Sequence, residues 1–283
     1  MTAPIRTIAI IGLGLIGGSL ADLLHEHDPD LVLLGVDTDA RTRELAKAAW
    51  FSGVYTHLSE LPQSVDLVWI CTPLELIRET VEALSAHLQG PAILTDVGSL
   101  KGRIGSPLLS RDNHVFIPGH PMAGTEKTGF EASAAVILSG AKYLLCPPTP
   151  ASPQYDRFAK FLTELGFRVK ELSVQAHDEA VALASHFPYI MACLTVSSAD
   201  AQAGIPYAQV VSSGFRDTTR VASASPRWGT EVCLGNRDAL QKALATTVNQ
   251  IEEFSHWLAS ADTTAIERFL SHCRKTRNEV MDQ

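Results

Sequence analysis

The chain is poor in charge and has no excess of basic residues. Charged residues make up 19% of its 283 positions, hydrophobic residues make up 46%, and the formal net charge is -8. A nucleic-acid partner is not expected, because binding a phosphate backbone requires a basic surface. The large apolar share instead predicts a globular protein of one or two domains with a substantial core.

Several sequence features that would indicate a membrane, secreted or metal protein are missing. No stretch approaches the roughly 18 apolar residues of a membrane span, and the N-terminus enters a strand without a signal peptide, so we expect a cytoplasmic protein with no membrane partner. No H-E-x-x-H, G-x-S-x-G or carboxylate cluster is present, so no metal is expected. The cysteines are odd in number and form no C-x-x-C pair, which is typical of reduced thiols. They are Cys71, Cys146, Cys193, Cys233 and Cys273.

A glycine-rich turn follows the first strand of the chain. The apolar run at 7–11 leads directly into G-x-G-x-x-G at 12–17 and then into a helical pattern. This context is the one in which such glycines allow a tight turn, a close approach of pyrophosphate, and packing of helix on strand. The motif predicts dinucleotide binding at the following residues: Gly12, Leu13, Gly14, Leu15, Ile16 and Gly17.

The second strand ends at an acidic residue that bears on the choice of cofactor. Asp37 lies about 20 residues beyond Gly17, where a carboxylate can accept hydrogen bonds from the ribose hydroxyls of NAD and repel the 2′-phosphate of NADP. Thr38 and Asp39 add no cation there. NAD is therefore the predicted cofactor, and three residues at later strand ends are assigned to the same site: Thr72, Pro73 and Asp96.

Strand and helix patterns alternate through the first 172 residues and then give way to helices. The alternation predicts an α/β fold with a doubly wound, Rossmann-like parallel sheet that a last strand at 167–171 closes, with a helix near 131–138. An all-α region follows, so we predict an NAD-binding domain at 1–172 and a helical substrate-binding and dimerisation domain at 173–283. The apolar helices of the second domain favour a homodimer.

A stiff loop at 118–130 carries the best candidate for a catalytic base. Two prolines and three glycines argue against helix or continued strand, and His120 is held just past the end of a strand, where ligands bind in open α/β sheets. Ser99 also follows a strand end, where it either caps the next helix or faces the nicotinamide. Between the later helices, Arg216 and Arg220 offer planar guanidinium groups suited to a carboxylate substrate.

Together these stretches resemble the prephenate and arogenate dehydrogenases of tyrosine biosynthesis, a branch of aromatic amino acid biosynthesis. The matching segments are G-L-G-L-I-G-G-S-L-A at 12–21, D-V-G-S-L-K at 96–101, G-H-P-M-A-G-T-E-K-T-G at 119–129, H-D-E-A-V-A-L-A-S-H-F-P at 177–188 and G-F-R-D-T-T-R at 214–220. The third and fifth segments, in this order, are specific to that family.

The resemblance implies an NAD-dependent oxidative decarboxylation of prephenate to 4-hydroxyphenylpyruvate and CO2. By position, His120 would take the proton of the ring hydroxyl, Ser99 would orient His120, and Arg220 would bind a substrate carboxylate. Glu126 and Asp217 would form an ionic network that gates the pocket around Arg220. The remaining residues assigned to the substrate pocket are Thr125, His186, Tyr189 and Arg216.

Three alternatives stay open at this point. Many family members have a second histidine where this chain has Tyr189, so arogenate is an alternative substrate. A β-hydroxyacid dehydrogenase would share the N-terminal half but usually carries a catalytic lysine in the second domain that is not evident here. A non-enzymatic NAD-sensing module would need neither His120 nor Arg220.

Overall fold

The computed structural model describes residues 4–104, 114–125, 127–147, 152–202 and 204–282. The chain divides into two compact units, Met1–Asn236 and Arg237–Gln283. The structural division therefore falls after residue 236, whereas the boundary between the NAD-binding and helical domains was predicted at residue 172. That functional boundary stays a prediction.

A six-stranded parallel sheet forms the centre of the first unit. Its strands are β1 (Thr7–Ile11), β2 (Val32–Val36), β3 (Gly53–Tyr55), β4 (Leu67–Ile70), β5 (Ile93–Asp96) and β6 (Val115–Ile117). They lie in the order β3-β2-β1-β4-β5-β6, so the winding reverses between β1 and β4. In open α/β sheets this reversal leaves a crevice at the carboxyl ends of the strands, where ligands bind.

Both faces of this sheet are buried, which explains why its strands are apolar without alternation. Ile8, Ile10 and Trp69 belong to the core on one face. Ile11 and Val68 belong to the core on the other. The helices of this part are α1 (Leu15–His27), α2 (Ala40–Lys47), α3 (Leu74–His87) and α4 (Pro153–Glu164). The predicted doubly wound, Rossmann-like architecture is confirmed.

The last strands do not close this sheet, which corrects the prediction for 167–171. A separate three-stranded sheet contains β7 (Gly119–Pro121), β8 (Lys142–Leu145) and β9 (Arg168–Glu171), in that order. β7 runs antiparallel to β8, with His120 opposite Leu144, so His120 lies on a short strand and not in a loop. Pro121 is tolerated because β7 is an edge strand, where one N–H can be spared.

The helix expected near 131–138 is replaced by two short 3-10 turns, Phe130–Ala132 and Ala135–Ile137. Extended backbone at Ser133 and Ala134 separates the turns. The Ala134 N–H donates to Ser19 Oγ on α1 at 3.1 Å, so this segment is held on α1 by a contact distant in sequence. The helix that Ser99 was expected to cap is not formed in residues 100–104, and the residues that follow, 105–113, lie outside the described ranges.

Helices complete the first unit: α5 (Val174–Val181), a π-helical turn (Ala182–His186), α6 (Phe187–Asp200), α7 (Ser213–Thr219) and α8 (Pro226–Gly235). The continuous segment Val174–Asp200 contains an 18-residue window with a mean hydropathy of 1.5, of which only 22% is buried. By length and composition it could span a membrane, contrary to the expectation that no stretch approaches that requirement. Leu183 and Leu194 are among its exposed side chains.

The second unit consists of α9 (Arg237–Ala259) and α10 (Thr263–Met281). Phe254, Trp257 and Phe269 form an aromatic cluster between the two helices, with ring centroids 5.6 to 6.1 Å apart. Large apolar side chains outside this cluster are exposed, including Ile251 and Leu258. In this unit the predicted all-α character of the chain after residue 172 is confirmed.

Candidate active site

The three glycines of the turn after β1 have different reasons to be glycine. Gly12 has φ +90°, and a Cβ there would lie 2.8 Å from the carbonyl oxygen of Cys71. A Cβ on Gly17 would lie 2.1 Å from the carbonyl oxygen of Gly12. Nothing lies within 4 Å of a Cβ built on Gly14. Gly12 and Gly17 therefore allow close backbone packing that any side chain would block, whereas the backbone at Gly14 borders open space.

The N-terminus of α1 faces this open space. The helix begins at Leu15, and its N-cap Gly14 supplies no side-chain hydrogen bond. The first N–H groups of a helix have no partner within the helix, and the positive end of the helix dipole lies there. Backbone N–H groups next to open space are suited to the phosphates of a dinucleotide.

Asp37 lies beside the glycine turn at the end of β2. Its Oδ2 accepts from the Leu13 N–H at 2.8 Å, and its Oδ1 accepts from the Asp39 N–H at 2.8 Å. Each oxygen has a further lone pair with which to accept a ribose hydroxyl. Arg43 Nη1 donates to the Asp37 carbonyl oxygen at 2.9 Å, so a cation is nearby that sequence spacing did not indicate.

A cavity of about 620 Å³ extends from the glycine turn to the helices that follow β9. It lies outside the carboxyl ends of the strands, as the switch point predicts. Most of the residues assigned from sequence to catalysis or binding line it. These are Gly14, Leu15, Ile16, Thr72, Pro73, Ser99, His120, Thr125, Tyr189 and Arg220.

Below the cavity, a buried ion pair joins β5 to β7. Lys101 and Asp96 both have fully buried side chains, and Lys101 Nζ contacts Asp96 Oδ2 and the carbonyl oxygen of Gly119. Asp96 also accepts from the N–H groups of Gly98 at 2.8 Å and Gly119 at 3.1 Å. This network fixes the residue immediately before His120.

His120 is bonded to a second histidine, which is bonded to an aspartate. His120 Nδ1 and His177 Nε2 are 3.0 Å apart, and His177 Nδ1 and Asp178 Oδ1 are 2.8 Å apart. Burial, reinforced by the positive charge of Lys101, lowers the pKa of His120 well below its usual value. His120 is therefore neutral at neutral pH and can accept a proton.

The opposite wall of the cavity comes from α6 and α8. Trp228 Nε1 donates to Ser99 Oγ at 3.2 Å, and the ring of Trp228 meets that of Tyr189 edge-on at a centroid distance of 5.2 Å. A Cβ on Gly229 would lie 2.3 Å from the Tyr189 hydroxyl oxygen, so Gly229 makes room for the phenol. Glu231 also lines this wall. Burial and the neighbouring Glu75 carboxylate raise its pKa to about 7.

Family models cover nearly the whole chain. The model of the nucleotide-binding domain of prephenate dehydrogenase matches residues 20–171, and the model of its dimerization domain matches residues 173–272. The chain belongs to the prephenate dehydrogenase family. This membership confirms the resemblance seen in the sequence and overrules both the β-hydroxyacid dehydrogenase and the NAD-sensing module.

The proteins most usefully compared with this chain are named for three related dehydrogenase activities. The chain is 30% identical to the cyclohexadienyl dehydrogenase of Zymomonas mobilis, with 96% of this chain and 95% of that protein covered. It is 31% identical in sequence to Synechocystis arogenate dehydrogenase, whose crystal structure it matches with a TM-score of 0.81 over 97% of this chain and 99% of that chain. Prephenate dehydrogenase from A. aeolicus, solved with hydroxyphenyl propionate and NAD+, shares the fold at 23% identity, a TM-score of 0.86 and coverage of 99% and 100%.

Several residues expected in the substrate pocket of this family member lie elsewhere. His186 is fully buried behind the wall that Ser185 lines, with Nδ1 3.3 Å from Asn236 Nδ2. Its burial lowers its pKa to about 4. Arg216 and Asp217 are highly exposed and contact each other at 3.4 Å.

Two of the three residues expected in the ionic network around Arg220 lie within the described part of the chain. Arg220 lines the cavity, whereas Asp217 is bonded to Arg216, its neighbour in sequence. Glu126, the third predicted member, lies outside the described residues. Ser99 also differs from expectation, because its bond is to Trp228 and the partner of His120 is His177.

Five residues of the site were missed from sequence: Lys101, His177, Asp178, Trp228 and Glu231. Lys101 and the His177-Asp178 pair stand inside segments that carry the family resemblance, so the signal was present. The position of Lys101 five residues after Asp96 could have suggested an ion pair across the turn. Trp228 and Glu231 gave no signal, because only the packing of α8 places them at the cavity.

Proposed function

We propose that this protein oxidises prephenate with NAD, giving 4-hydroxyphenylpyruvate, CO2 and NADH. One observation carries the proposal: a single cavity is lined by the glycine turn, by the neutral base His120 and by the cation Arg220. These are the three components that the reaction requires, namely a cofactor cradle, a proton acceptor and a binding group for a carboxylate.

The residues around the glycine turn fit a dinucleotide. Open space beside Gly14 and the N–H groups at the start of α1 would receive the pyrophosphate, and Asp37 would bind the ribose hydroxyls. Thr72 Oγ1, which is buried without a hydrogen-bond partner in the described part of the chain, is a further polar group at the cavity wall. When bound, NAD supplies the acceptor for the hydride that leaves C4 of the ring.

The chain's own residues align the ring and move one proton. Arg220 would hold a substrate carboxylate through charge-assisted hydrogen bonds. His120 would accept the proton of the ring hydroxyl while the C4–O bond gains carbonyl character. The bond between the ring and its carboxylate then breaks, CO2 leaves, and the bonding electrons complete the aromatic ring as a phenolate, whose oxygen takes the proton back from His120. Because aromatisation drives the reaction, alignment and one base are sufficient.

Turnover of the purified protein tests this proposal. Prephenate and arogenate should each be assayed with NAD and with NADP, by following reduced nicotinamide and the aromatic product. We expect the largest kcat/KM with prephenate and NAD.

His120→Asn should lower kcat by about 10²–10⁴-fold with NAD affinity retained. Arg220→Gln should raise KM for the substrate by about 10–150-fold, and the exposed Arg216→Gln should do less. Absence of turnover with both substrates would refute the proposal.

Arogenate is the second candidate substrate, and one feature of the cavity wall favours it. Glu231 places a carboxyl group at the cavity, and a carboxylate would attract the ammonium group that distinguishes arogenate from prephenate. Tyr189 is a neutral phenol that does not repel an ammonium group. A larger kcat/KM with arogenate in the same assay would select this alternative.

We also propose that the helices after residue 172 form a homodimer in the cytoplasm. The match to a dimerization domain and the exposed apolar side chains of Val174–Asp200 support the dimer. The five free cysteines support a reducing compartment. Light scattering coupled to gel filtration, without detergent, should give twice the 30.5 kDa mass of one chain. A monomer, or a protein that requires detergent, would contradict the proposal.

A further inference from the structure

Two buried histidines and a partly buried aspartate form a line that leads away from the cavity. His120 lines the cavity, His177 is fully buried behind it, and Asp178 follows His177 in sequence. The ring nitrogens of the histidines are 3.0 Å apart, and Asp178 Oδ1 is 2.8 Å from His177 Nδ1. The line crosses between two parts of the fold, because His120 belongs to β7 and the other two residues belong to α5.

The hydrogen bonds of Asp178 fix its charge. Its Oδ1 accepts from the Lys101 N–H at 2.9 Å, and its Oδ2 accepts from the Gly102 N–H at 2.8 Å. A backbone N–H can only donate, so both oxygens act as acceptors. Burial alone would raise the pKa of Asp178, but the hydrogen bonds from His177 and these two N–H groups outweigh burial and lower it. Asp178 is therefore an ionised acceptor at neutral pH.

An ionised Asp178 determines where the protons of the two histidines lie. His177 Nδ1 must carry the hydrogen that points at the carboxylate. In neutral His177 the other nitrogen, Nε2, then has a lone pair, so the hydrogen between the rings belongs to His120 Nδ1. In neutral His120 this leaves Nε2 without a hydrogen. A neutral base needs that bare nitrogen to accept a proton from a ligand in the cavity.

We propose that His177 and Asp178 are positioning residues that hold His120 in the tautomer protonated at Nδ1, with Nε2 free to accept the substrate proton. The inference rests on the proposed function for the identity of that proton. In the reaction the O–H bond of the ring hydroxyl breaks and an Nε2–H bond forms. His120 then holds hydrogens on both nitrogens, and its Nδ1–H continues to donate to His177.

The first test reads the tautomer directly and does not depend on activity. The unliganded protein is labelled with 15N-histidine, and two-bond correlations from ring carbon protons to ring nitrogens are recorded at pH 7.5. The signals lost in His120→Asn assign His120. We expect a protonated Nδ1 and a bare Nε2 in the wild-type protein. A protonated Nε2 on His120, which would also result from a charged His177, would overturn the inference.

The second test separates the tautomer from the structural role of Asp178, which also binds the N–H groups of Lys101 and Gly102. Asp178→Asn is made in the wild-type protein and in His177→Leu. With His177 present, the amide introduced by Asp178→Asn can donate to His177 Nδ1 and so reverse the direction of both hydrogen bonds in the line. In the wild-type background we expect kcat to fall about 10²-fold or more, with KM and NAD affinity within about threefold. In the His177→Leu background the same change should lower kcat by less than about threefold, because no imidazole is present to pass the reversed hydrogen bond on to His120.

Two further variants complete the design. His177→Gln restores a carbonyl acceptor for His120 Nδ1–H, so it should retain more kcat than His177→Leu, and it serves if the leucine variant does not fold. Asp200→Asn removes an exposed carboxylate at the end of α6 and should leave kcat unchanged. If Asp178→Asn lowered kcat by the same factor in both backgrounds, Asp178 would have only a structural role. Failure of the proposed function is distinguishable, because the wild-type protein would then turn over neither substrate while the tautomer could still be read.

Discussion

At the scale of single residues, we propose that Asp37 determines how strongly the cofactor site excludes a 2′-phosphate. Asp37→Ala removes both the acceptor for the ribose and the negative charge, while Arg43 remains close by. We expect the ratio of kcat/KM for NAD over NADP to fall by about 10–150-fold, the worth of a hydrogen bond to a charged group. Steady-state kinetics with both cofactors measures it. Asp37→Asn is the matched control, since it keeps the shape and loses the charge. An unchanged ratio in both variants would place Asp37 away from the ribose.

Tyr189 is the residue through which we expect substrate choice to be altered. Tyr189→His introduces a group that can become positively charged at the cavity wall, and that charge would repel the ammonium of arogenate. The ratio of kcat/KM for prephenate over arogenate should therefore rise. Tyr189→Phe removes the hydroxyl without adding charge and should move the ratio less. A ratio that stays constant or falls in Tyr189→His would remove Tyr189 from substrate selection.

At the scale of secondary structure elements, the Lys101–Asp96 pair joins the end of β5 to the start of β7. Lys101→Met leaves the Asp96 charge buried without its partner, so the free energy of unfolding should fall by about 3–5 kcal/mol. Urea unfolding measures this loss. The control is Lys160→Met, which breaks an exposed pair with Glu164 and should cost less than about 1 kcal/mol. Equal losses in the two variants would mean that the buried pair does not hold the elements together.

The same scale shows what the sequence could and could not predict. β1, β2 and β4 were predictable because each is an apolar run in a sheet buried on both faces, and β5 because it begins with such a run. The separate sheet was not, since β7 has only three residues and its pairing with β8 depends on tertiary packing. The contact between His120 and His177 spans 57 positions, so adjacency in sequence could not indicate it. His186 was misplaced because helical spacing does not show which side of a wall a residue occupies.

For the molecule as a whole, buried neutral histidines make stability depend on pH. His186 has an ordinary pKa of 6.5 when unfolded and about 4 when folded. Between these values the unfolded chain binds a proton that the native protein does not, so stability is lost as pH falls through this window. For His186 alone the loss between pH 7.5 and pH 5 should be about 2 kcal/mol. His120, whose pKa is also lowered by burial, acts in the same direction.

Glu231 opposes this trend, so the measurement must isolate His186. Its raised pKa means that the native protein takes up a proton more readily than the unfolded chain, which favours folding as pH falls. Urea unfolding of the wild-type protein and His186→Gln at pH 7.5 and pH 5 removes this common contribution. His186→Gln should lose about 2 kcal/mol less between the two conditions than the wild-type protein does. Glu231→Gln should make the wild-type loss steeper. Parallel pH dependence in the wild-type protein and His186→Gln would show that His186 takes up its proton equally in the folded and unfolded states.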